Sequence, residues 1–543
     1  MLGMMMQRPL LISDIITYAA EMHPNGEIVS ARTEGDIHRQ TYAQTGKRVA
    51  QLANALRARG IRTGDRVATL AWNGYRHFEL YYAVSGIGAV CHTINPRLSA
   101  EQMIYIVNHA EDQVIFVDTT FVPILEAVKD HLPAGLTYVI MTDRAHMPEN
   151  TLDALCYEEL LSDQPESIDW PALDENTAAG LCYTSGTTGN PKGALYSNRS
   201  TVLHALYVAM ALGTTLPQEA KILPVVPLFH VNAWGLPYFA PLMGHSLIMP
   251  GGALDGPSLW KLMDSEGVDS AWGVPTVWLG LMAEINAQGR KPNKFGHVVI
   301  GGSAAPRSMI EDFEKQDVAV VHAWGMTEMS PIGTHGTMPN WVEEKPFDTK
   351  VDYKALQGRR VFGVDLKIVD EEGNRLPHDG EAVGELFVRG NAVVSGYFNN
   401  EEATKGAIDA DGWFGTGDVA LITPEGFLSI QDRAKDLVKS GGEWISSIDL
   451  ENAAMAHPAI ANAAVIAVPH PKWDERPVLF AVPAGADRPS LAEVQTTMEE
   501  HFAKWQMPDD LIWVDELPLT ATGKVSKLTL RKGLGDYTLP DQR

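Results

Sequence analysis

Tyr183-Thr184-Ser185-Gly186-Thr187-Thr188-Gly189-Asn190-Pro191-Lys192-Gly193 constrains this chain more than any other stretch. It follows the apolar run 178–182, which reads as a buried strand, and it precedes a polar segment and a helical pattern from Thr201. Glycines let backbone N–H groups close on an anion, the hydroxyls add short donors, and Lys192 adds a fixed positive charge, so the stretch suits a polyphosphate. It is not a Walker A loop: Pro191 and Gly193 stand where that motif needs Gly before the lysine and Ser or Thr after it. Composition alone leaves a surface turn open, because Gly, Ser, Thr, Asn and Pro dominate turns.

A chain of 543 residues exceeds one compact core, so several packed units are expected. Strand and helix patterns alternate before and after the central stretch. Thr41 is placed to cap a helix carrying Val49, Leu52, Ala53 and Leu56; 66–71 reads as a strand, 100–108 as a helix, 113–118 as a strand. Strands are expected again at 222–226, 268–272, 297–300 and 318–322, with helices between. This is the signature of layered α/β units with largely parallel sheets. Residues 148–176 read as an acidic surface excursion. From about Gln357 short strands with little helix suggest a small antiparallel β unit, and after Lys435 a separate α+β domain is expected. The fold class is therefore α/β, with a large N-terminal domain over 1–434 and a small C-terminal domain over 435–543.

The net charge of −25 argues against nucleic acid or an anionic membrane as a main partner. Cys91, Cys156 and Cys182 have neither disulfide nor zinc-ligand spacing, which fits a reducing compartment. No apolar run is long enough to span a bilayer, and no basic region precedes an apolar leader, so a cytoplasmic location and no membrane insertion are expected.

Further motifs stand in a fixed order: Gly301-Gly302-Ser303-Ala304-Ala305-Pro306, Trp324-Gly325-Met326-Thr327-Glu328, Trp413-Phe414-Gly415-Thr416-Gly417-Asp418, the charged run from Gln431 to Glu443, and Leu517-Pro518-Leu519-Thr520-Ala521-Thr522-Gly523-Lys524. With the central stretch, this series closely resembles the adenylate-forming superfamily of acyl-CoA synthetases, luciferases and peptide-synthetase adenylation domains. The resemblance implies ATP, Mg²⁺ and CoA as cofactor and cosubstrates, and a small-molecule carboxylic acid as the partner. It carries nucleotide contacts onto Thr184, Ser185, Gly186, Thr187, Thr188, Gly189 and Lys192, and onto Gly302, His322, Ala323, Trp324, Gly325, Met326 and Thr327. Trp324 stands where the family has Tyr, and Gly415 where it often has Arg. Thr184 and Glu328 are implied Mg²⁺ ligands, Asp418 and Arg433 ribose contacts, and Lys435 the hinge position, with Lys439 and Trp444 on the nucleotide side. Lys524 matches the catalytic lysine, and a cation there stabilises charge building on the α-phosphate and the attacking carboxylate.

Pro227-Leu228-Phe229-His230-Val231-Asn232-Ala233-Trp234, which follows the strand expected at 222–226, resembles the aromatic-rich motif in which His230 gates the acyl and CoA channels. No carboxylate follows His230 to pair an ammonium, which disfavours an amino acid, and Val231, Trp234 and Leu236 favour an aliphatic tail. The run looks like medium- and long-chain fatty acyl-CoA synthetases, in which the residue matching Trp234 gates the tunnel and the protein is a homodimer. Its N-terminal residues 10–13 and its string 470–477 also look like bacterial 3-(methylthio)propionyl-CoA ligases. An oxygenase or a non-catalytic nucleotide binder on the same scaffold remains as the reading from another class.

Overall fold

The α/β patterns assemble into two sheets sharing one layer of helices. In the computed structural model every residue is described except Leu2, 185–189, Thr214, Gly442, Glu500, His501, Ala521, Thr522, Asp536 and 541–543. The seven-stranded sheet runs Leu155–Cys156, Thr137–Ile140, Asp112–Val117, Arg66–Leu70, Val90–Thr93, Ala178–Tyr183, Gly193–Ser197, all parallel except the last. The nine-stranded sheet has a parallel centre of Ala319–Gly325, His297–Ile300, Ser270–Gly273, Lys221–Pro224, Ser246–Met249 and Glu27–Ala31, with antiparallel strands at both ends. One core joins them: Val67, Cys91 and Phe116 from the first sheet and Ile222, Leu247 and Trp272 from the second lie in the same apolar cluster.

The helix Tyr75–Gly86 fills this shared layer, and every one of its residues is buried. Burial on all sides erases the polar stripe by which a helix is read from sequence, which is why the pattern over 75–86 escapes periodicity. Its charges survive burial because they are paired. Glu79 accepts from Arg48 at 2.7 Å and from Gln40 at 2.9 Å, and Arg76 reaches Glu34 at 2.7 Å and Glu158 at 2.8 Å. Glu158 belongs to the region read as a surface excursion. That reading is corrected: Leu155–Cys156 is an edge strand, and Tyr157 of the helix Tyr157–Ser162 is fully buried.

Thr41 caps Tyr42–Ala58 through a capping box with Gln44, as its pattern predicts. A four-stranded antiparallel sheet follows: Val364–Val369, Gly384–Gly390, Phe414–Ile422 and Leu428–Arg433. The small unit has its own core and sheet, with Ile460–His470 and Asp474–Pro483 as a long antiparallel pair and Asp510–Trp513 parallel to the second. No helix among the described residues is long and apolar enough to cross a membrane.

The central stretch differs from its expected setting. It connects Ala178–Tyr183 to an antiparallel partner, Gly193–Ser197, rather than leading through a polar segment to a helix; the helix Asn198–Leu212 starts only after that second strand. With Tyr183 paired to Gly193, the stretch is held at both ends by the same hairpin.

Candidate active site

Five parallel strands deliver their C-terminal ends to one cleft, the place where α/β sheets present ligands. Ala178–Tyr183 leads into the hydroxyl- and glycine-rich stretch, Lys221–Pro224 into the segment of His230, Ser270–Gly273 into Val274 and Thr276, His297–Ile300 into Gly301 and Gly302, and Ala319–Gly325 into Thr327 and Glu328. Ser185, Gly186, Thr187, Thr188 and Gly189 lie outside the described residues. The ends of their stretch are closed by Thr184 N–H donating to Lys192 O at 2.9 Å and Lys192 N–H donating to Thr184 Oγ1 at 3.3 Å.

Glu328 is buried on the turn after Ala319–Gly325 and accepts from Tyr397 Oη–H at 2.8 Å. Lys192 Nζ lies 5.1 Å from the centre of the Tyr397 ring, so one tyrosine links the lysine of the first motif to the carboxylate of the third. Tyr196 Oη–H donates to Thr327 O at 2.6 Å, a second tie between the two sheets. Neither tyrosine is legible as a site residue from its sequence setting.

Asp418 sits inside Phe414–Ile422, almost fully buried, with both oxygens engaged. Arg433 Nε–H donates to Oδ1 at 2.8 Å and Trp324 Nε1–H donates to Oδ2 at 3.0 Å. Burial pushes the Asp418 carboxyl up, against the pull of Arg433, Trp324 and Lys524. Trp324 fits only because its neighbour is Gly333: a Cβ there would stand 2.6 Å from the indole. His322 is engaged internally at both ring nitrogens, Nδ1–H donating to Ala355 O at 3.0 Å and Nε2 accepting from Ala305 N–H at 3.4 Å. Ala323 and Gly325 hold the strand register against His335 and Ile332, and Met326 N–H donates to Pro331 O at 3.1 Å.

Lys524 arrives in this cleft from the small unit. Gly523 O, beside it, accepts from Thr276 Oγ1–H of the large unit at 3.2 Å. Gly302, with φ +82°, lies beside the lysine: a Cβ there would stand 3.6 Å from Lys524 Cε, an ordinary contact, and a tighter 3.1 Å from Val274. Desolvation, then the Arg433 guanidinium, push Lys524 down to about 8, while Asp418 and Glu328 pull it up. Burial, and then the Lys524 cation, push His230 down to about 3, so His230 is neutral. Trp234 packs over Gly301 and Gly302, and Val231 is buried. Both stand on an unusual backbone. Val231, Asn232, Ala233 and Trp234 have φ of 47°, 51°, 45° and 57°, a turn of left-handed helix that ends at Gly235. Such a turn costs roughly 1–2 kcal/mol per non-glycine residue, so it persists only where its surroundings over-determine it.

The linker is clasped as well. Asp432 is buried, and its Oδ2 accepts from Ser447 N–H at 2.8 Å at the start of the helix Ser447–Met455, where the helix dipole favours a carboxylate. Lys435 O accepts from Arg531 at 3.3 Å, and Asp436 pairs with Arg531 at 2.7 Å. Lys439 and Trp444 face each other across a hairpin of the small unit, the ammonium 5.1 Å from the ring centre, and the indole is exposed. Their contacts among the described residues do not bring them to the Lys524 cluster, unlike Arg433, Asp418 and Glu328.

The family model described as AMP-binding enzyme matches residues 16–398, and the model of the AMP-binding enzyme C-terminal domain matches 449–524. The chain belongs to the AMP-binding enzyme family. A medium-chain-fatty-acid–CoA ligase of Ectopseudomonas oleovorans is 49% identical, over 99% of this chain and 98% of its own length. A 3-methylmercaptopropionyl-CoA ligase of Ruegeria lacuscaerulensis is likewise 49% identical, over 99% of each. An anthranilate CoA ligase solved with anthranoyl-AMP shares the fold with a TM-score of 0.85 at 23% identity, covering 97% of this chain and 98% of its own. As a member of the AMP-binding family the protein is an acid–thiol ligase using ATP, Mg²⁺ and CoA.

Proposed function

We propose that this ligase activates a medium- or long-chain fatty acid. In the family reaction the acid's carboxylate attacks the α-phosphate of ATP, giving an acyl-adenylate and pyrophosphate. The CoA thiol then attacks the acyl carbonyl and AMP leaves. No protein nucleophile takes part, so catalysis is positioning and charge neutralisation. The observation that carries our assignment of roles is the placement of Lys524 against the Gly302 turn and Thr276 of the large unit, within electrostatic reach of Arg433, Asp418 and Glu328. This is the orientation suited to adenylation.

In this reading Lys524 neutralises charge between the α-phosphate and the carboxylate, and Asp418 with Arg433 holds the ribose. Trp324 offers its face to adenine. Thr184, Lys192, Thr327 and the residues 185–189 take the phosphates. Glu328 and Thr184 fit Mg²⁺, a hard cation that prefers oxygen, and phosphate oxygens complete its shell. No group of three or more His, Cys, Asp or Glu among the described residues is placed to hold a metal by protein atoms alone. Bound there, Mg²⁺ would supply positive charge against the phosphates. Neutral His230 and Trp234 border the acyl and CoA path, and the small unit turns about Lys435, with the domains meeting between 434 and 435. Turning would withdraw Lys524 and bring Lys439 and Trp444 toward the cleft.

Apolar Val231, Trp234 and Leu236 and the medium-chain relative support a fatty acid. A short thioether acid, 3-(methylthio)propionate, is the second reading, supported by a relative of equal identity. We place the enzyme in the cytoplasm as a homodimer on family resemblance, and three buried free cysteines agree with a reducing compartment. Pyrophosphate release with ATP and Mg²⁺ across propionate, 3-(methylthio)propionate, octanoate and palmitate, with and without CoA, tests the substrate. A maximum at octanoate or longer is expected; a maximum at 3-(methylthio)propionate transfers the assignment to the second reading.

A further inference from the structure

A cavity of about 630 Å³ opens on the four-stranded antiparallel sheet, lined by residues the reaction does not use. Its volume lies within the roughly 300–1,000 Å³ of small-molecule sites. Four arginines line it, Arg359, Arg360, Arg375 and Arg389, against two carboxylates, Asp365 and Glu425. Asp365 is already engaged, with Arg360 at 3.1 Å and Arg389 at 3.7 Å. Arg359 and Arg375 make no ion pair among the described residues. Arg359 lies instead over the ring of Phe427, 5.6 Å from its centre. A concentration of positive charge in a chain of net charge −25 does not follow from composition, and a concave site focuses its field on anions.

Two histidines complete the lining, and each has a buried nitrogen without a hydrogen-bond partner: His335 Nδ1 and His378 Nε2. Orphaned buried nitrogens are rare in native proteins, and here two of them border one cavity. Burial, then Arg359, hold His335 down to about 4, and burial with Arg375 and Arg360 lowers His378, so both rings are neutral near pH 7 and able to donate one N–H each. One wall is not polar. Leu366, Ile422 and Trp413 line it, with the Arg389 guanidinium stacked 4.5 Å from the Trp413 ring centre. Planar guanidinium forks match phosphate oxygens, and a stacked arginine on an indole accommodates a planar organic body.

We infer that this cavity is a second anion site, which takes a phosphate ester of nucleotide size. The site stands apart from Lys524 and Glu328 but not from their scaffold. His335 is paired in register with Ala323, and Thr334 with Trp324, so a ligand held by His335 bears on the strand that carries the adenine-facing indole. The ligand therefore acts as an effector of the ligase rather than as its substrate.

The test titrates the full chain by calorimetry with AMP, with 3′-phosphoadenosine 5′-phosphate and with inorganic phosphate, and maps protection by hydrogen exchange. The same measurements follow on Arg375→Glu, a change at an exposed loop residue, and on Arg359→Gln/Arg375→Gln. The expected result is protection of peptides covering 359–366 and 373–380 by one or both nucleotides. Their affinity at that site falls roughly 10-fold or more in both variants, as loss of charge-assisted contacts predicts, while protection of the strand 319–325 by ATP and the basal turnover persist. Tight binding of inorganic phosphate alone removes the organic body from the proposal. Protection confined to the catalytic strands, or equal affinity in the folded Arg375→Glu variant, overturns the site.

Discussion

Trp324 Nε1–H donates to Asp418 Oδ2 at 3.0 Å, while Arg433 Nε–H holds the other oxygen at 2.8 Å. The carboxylate assigned to the ribose is thus oriented from both sides before any nucleotide arrives. A tyrosine at this position would supply a ring but no donor at the indole's place. Trp324→Phe keeps a face for adenine and leaves Oδ2 of a buried carboxylate unpaired, a loss of about 1.5–3 kcal/mol for a hydrogen bond to a charged group. We expect kcat/KM for ATP to fall roughly 10- to 100-fold, with KM for the acid changed little. A variant that keeps its KM for ATP would show that the indole N–H has no part in nucleotide recognition.

Lys524 sets a pH limit. Its ammonium is held down to about 8 in the cleft, from about 10.5 for a free lysine. In the role proposed for Lys524 the charged form neutralises the α-phosphate, so without bound ATP the fraction ready for adenylation should fall as pH rises through about 8. The same shift acts on domain orientation. A lysine with a lower pKa when docked favours docking less when protonated. The penalty is complete below about pH 8 and disappears as pH rises toward the undocked value. ATP phosphates offset it, which couples docking to nucleotide binding. Pyrophosphate-release kcat/KM should decline above pH 8 in the wild type, and Lys524→Arg should move that limb upward. Lys524→Ala should abolish adenylation while sparing much of the CoA step from preformed acyl-adenylate. Equal loss of both steps would remove the role given to Lys524.

What the sequence makes legible divides by physical cause. Thr41 and the strand 297–300 are local signals, and each is realised where its pattern puts it. Lys524, Asp418, Arg433 and Glu328, which lie far apart in the chain, come within electrostatic reach of one another. Helix Tyr75–Gly86 was hidden because a helix buried on all faces has no stripe. Strand Phe414–Ile422 was masked by its own glycines, Gly415 and Gly417, which read as turns. Tyr397 and Asp432 are invisible for a different reason. Their partners, Glu328 and Ser447, are 69 and 15 residues away, and only tertiary contact gives them meaning. The left-handed turn at 231–234 could not be read from residue types that favour right-handed or extended backbone.

That turn depends on its exit. Gly235 has φ +81°, and a Cβ there would lie 2.6 Å from the His204 ring. His204 cannot retreat freely, because its Nε2 accepts from Ile332 N–H at 3.0 Å and ties Asn198–Leu212 to the strand beside Trp324. Gly235→Ala combines overpacking with a strained φ. It should cost about 1–3 kcal/mol by each route, seen as a lower urea midpoint at unchanged m. Turnover should fall as well, since Trp234 and His230 are displaced. Wild-type stability in this variant would mean the turn relaxes without loss.

Tyr397 offers the sharpest test of the Mg²⁺ assignment, because its hydroxyl touches Glu328 and its ring touches Lys192. Tyr397→Phe deletes only the O–H that donates to Glu328 Oε1 at 2.8 Å and leaves the ring under Lys192 Nζ in place. Without that donor the carboxylate loses the group that orients it. Outer-sphere partners of this kind are worth about 10- to 100-fold in metal affinity or activity. The Mg²⁺ concentration for half-maximal pyrophosphate release should therefore rise by roughly that factor, and saturating Mg²⁺ should restore most of the rate. A simple packing defect is not expected, since the ring is retained and thermal stability should change little. If Mg²⁺ dependence is unaltered and the rate loss persists at saturation, Glu328 acts on the nucleotide by another route, and Thr184 and the phosphates alone hold the ion.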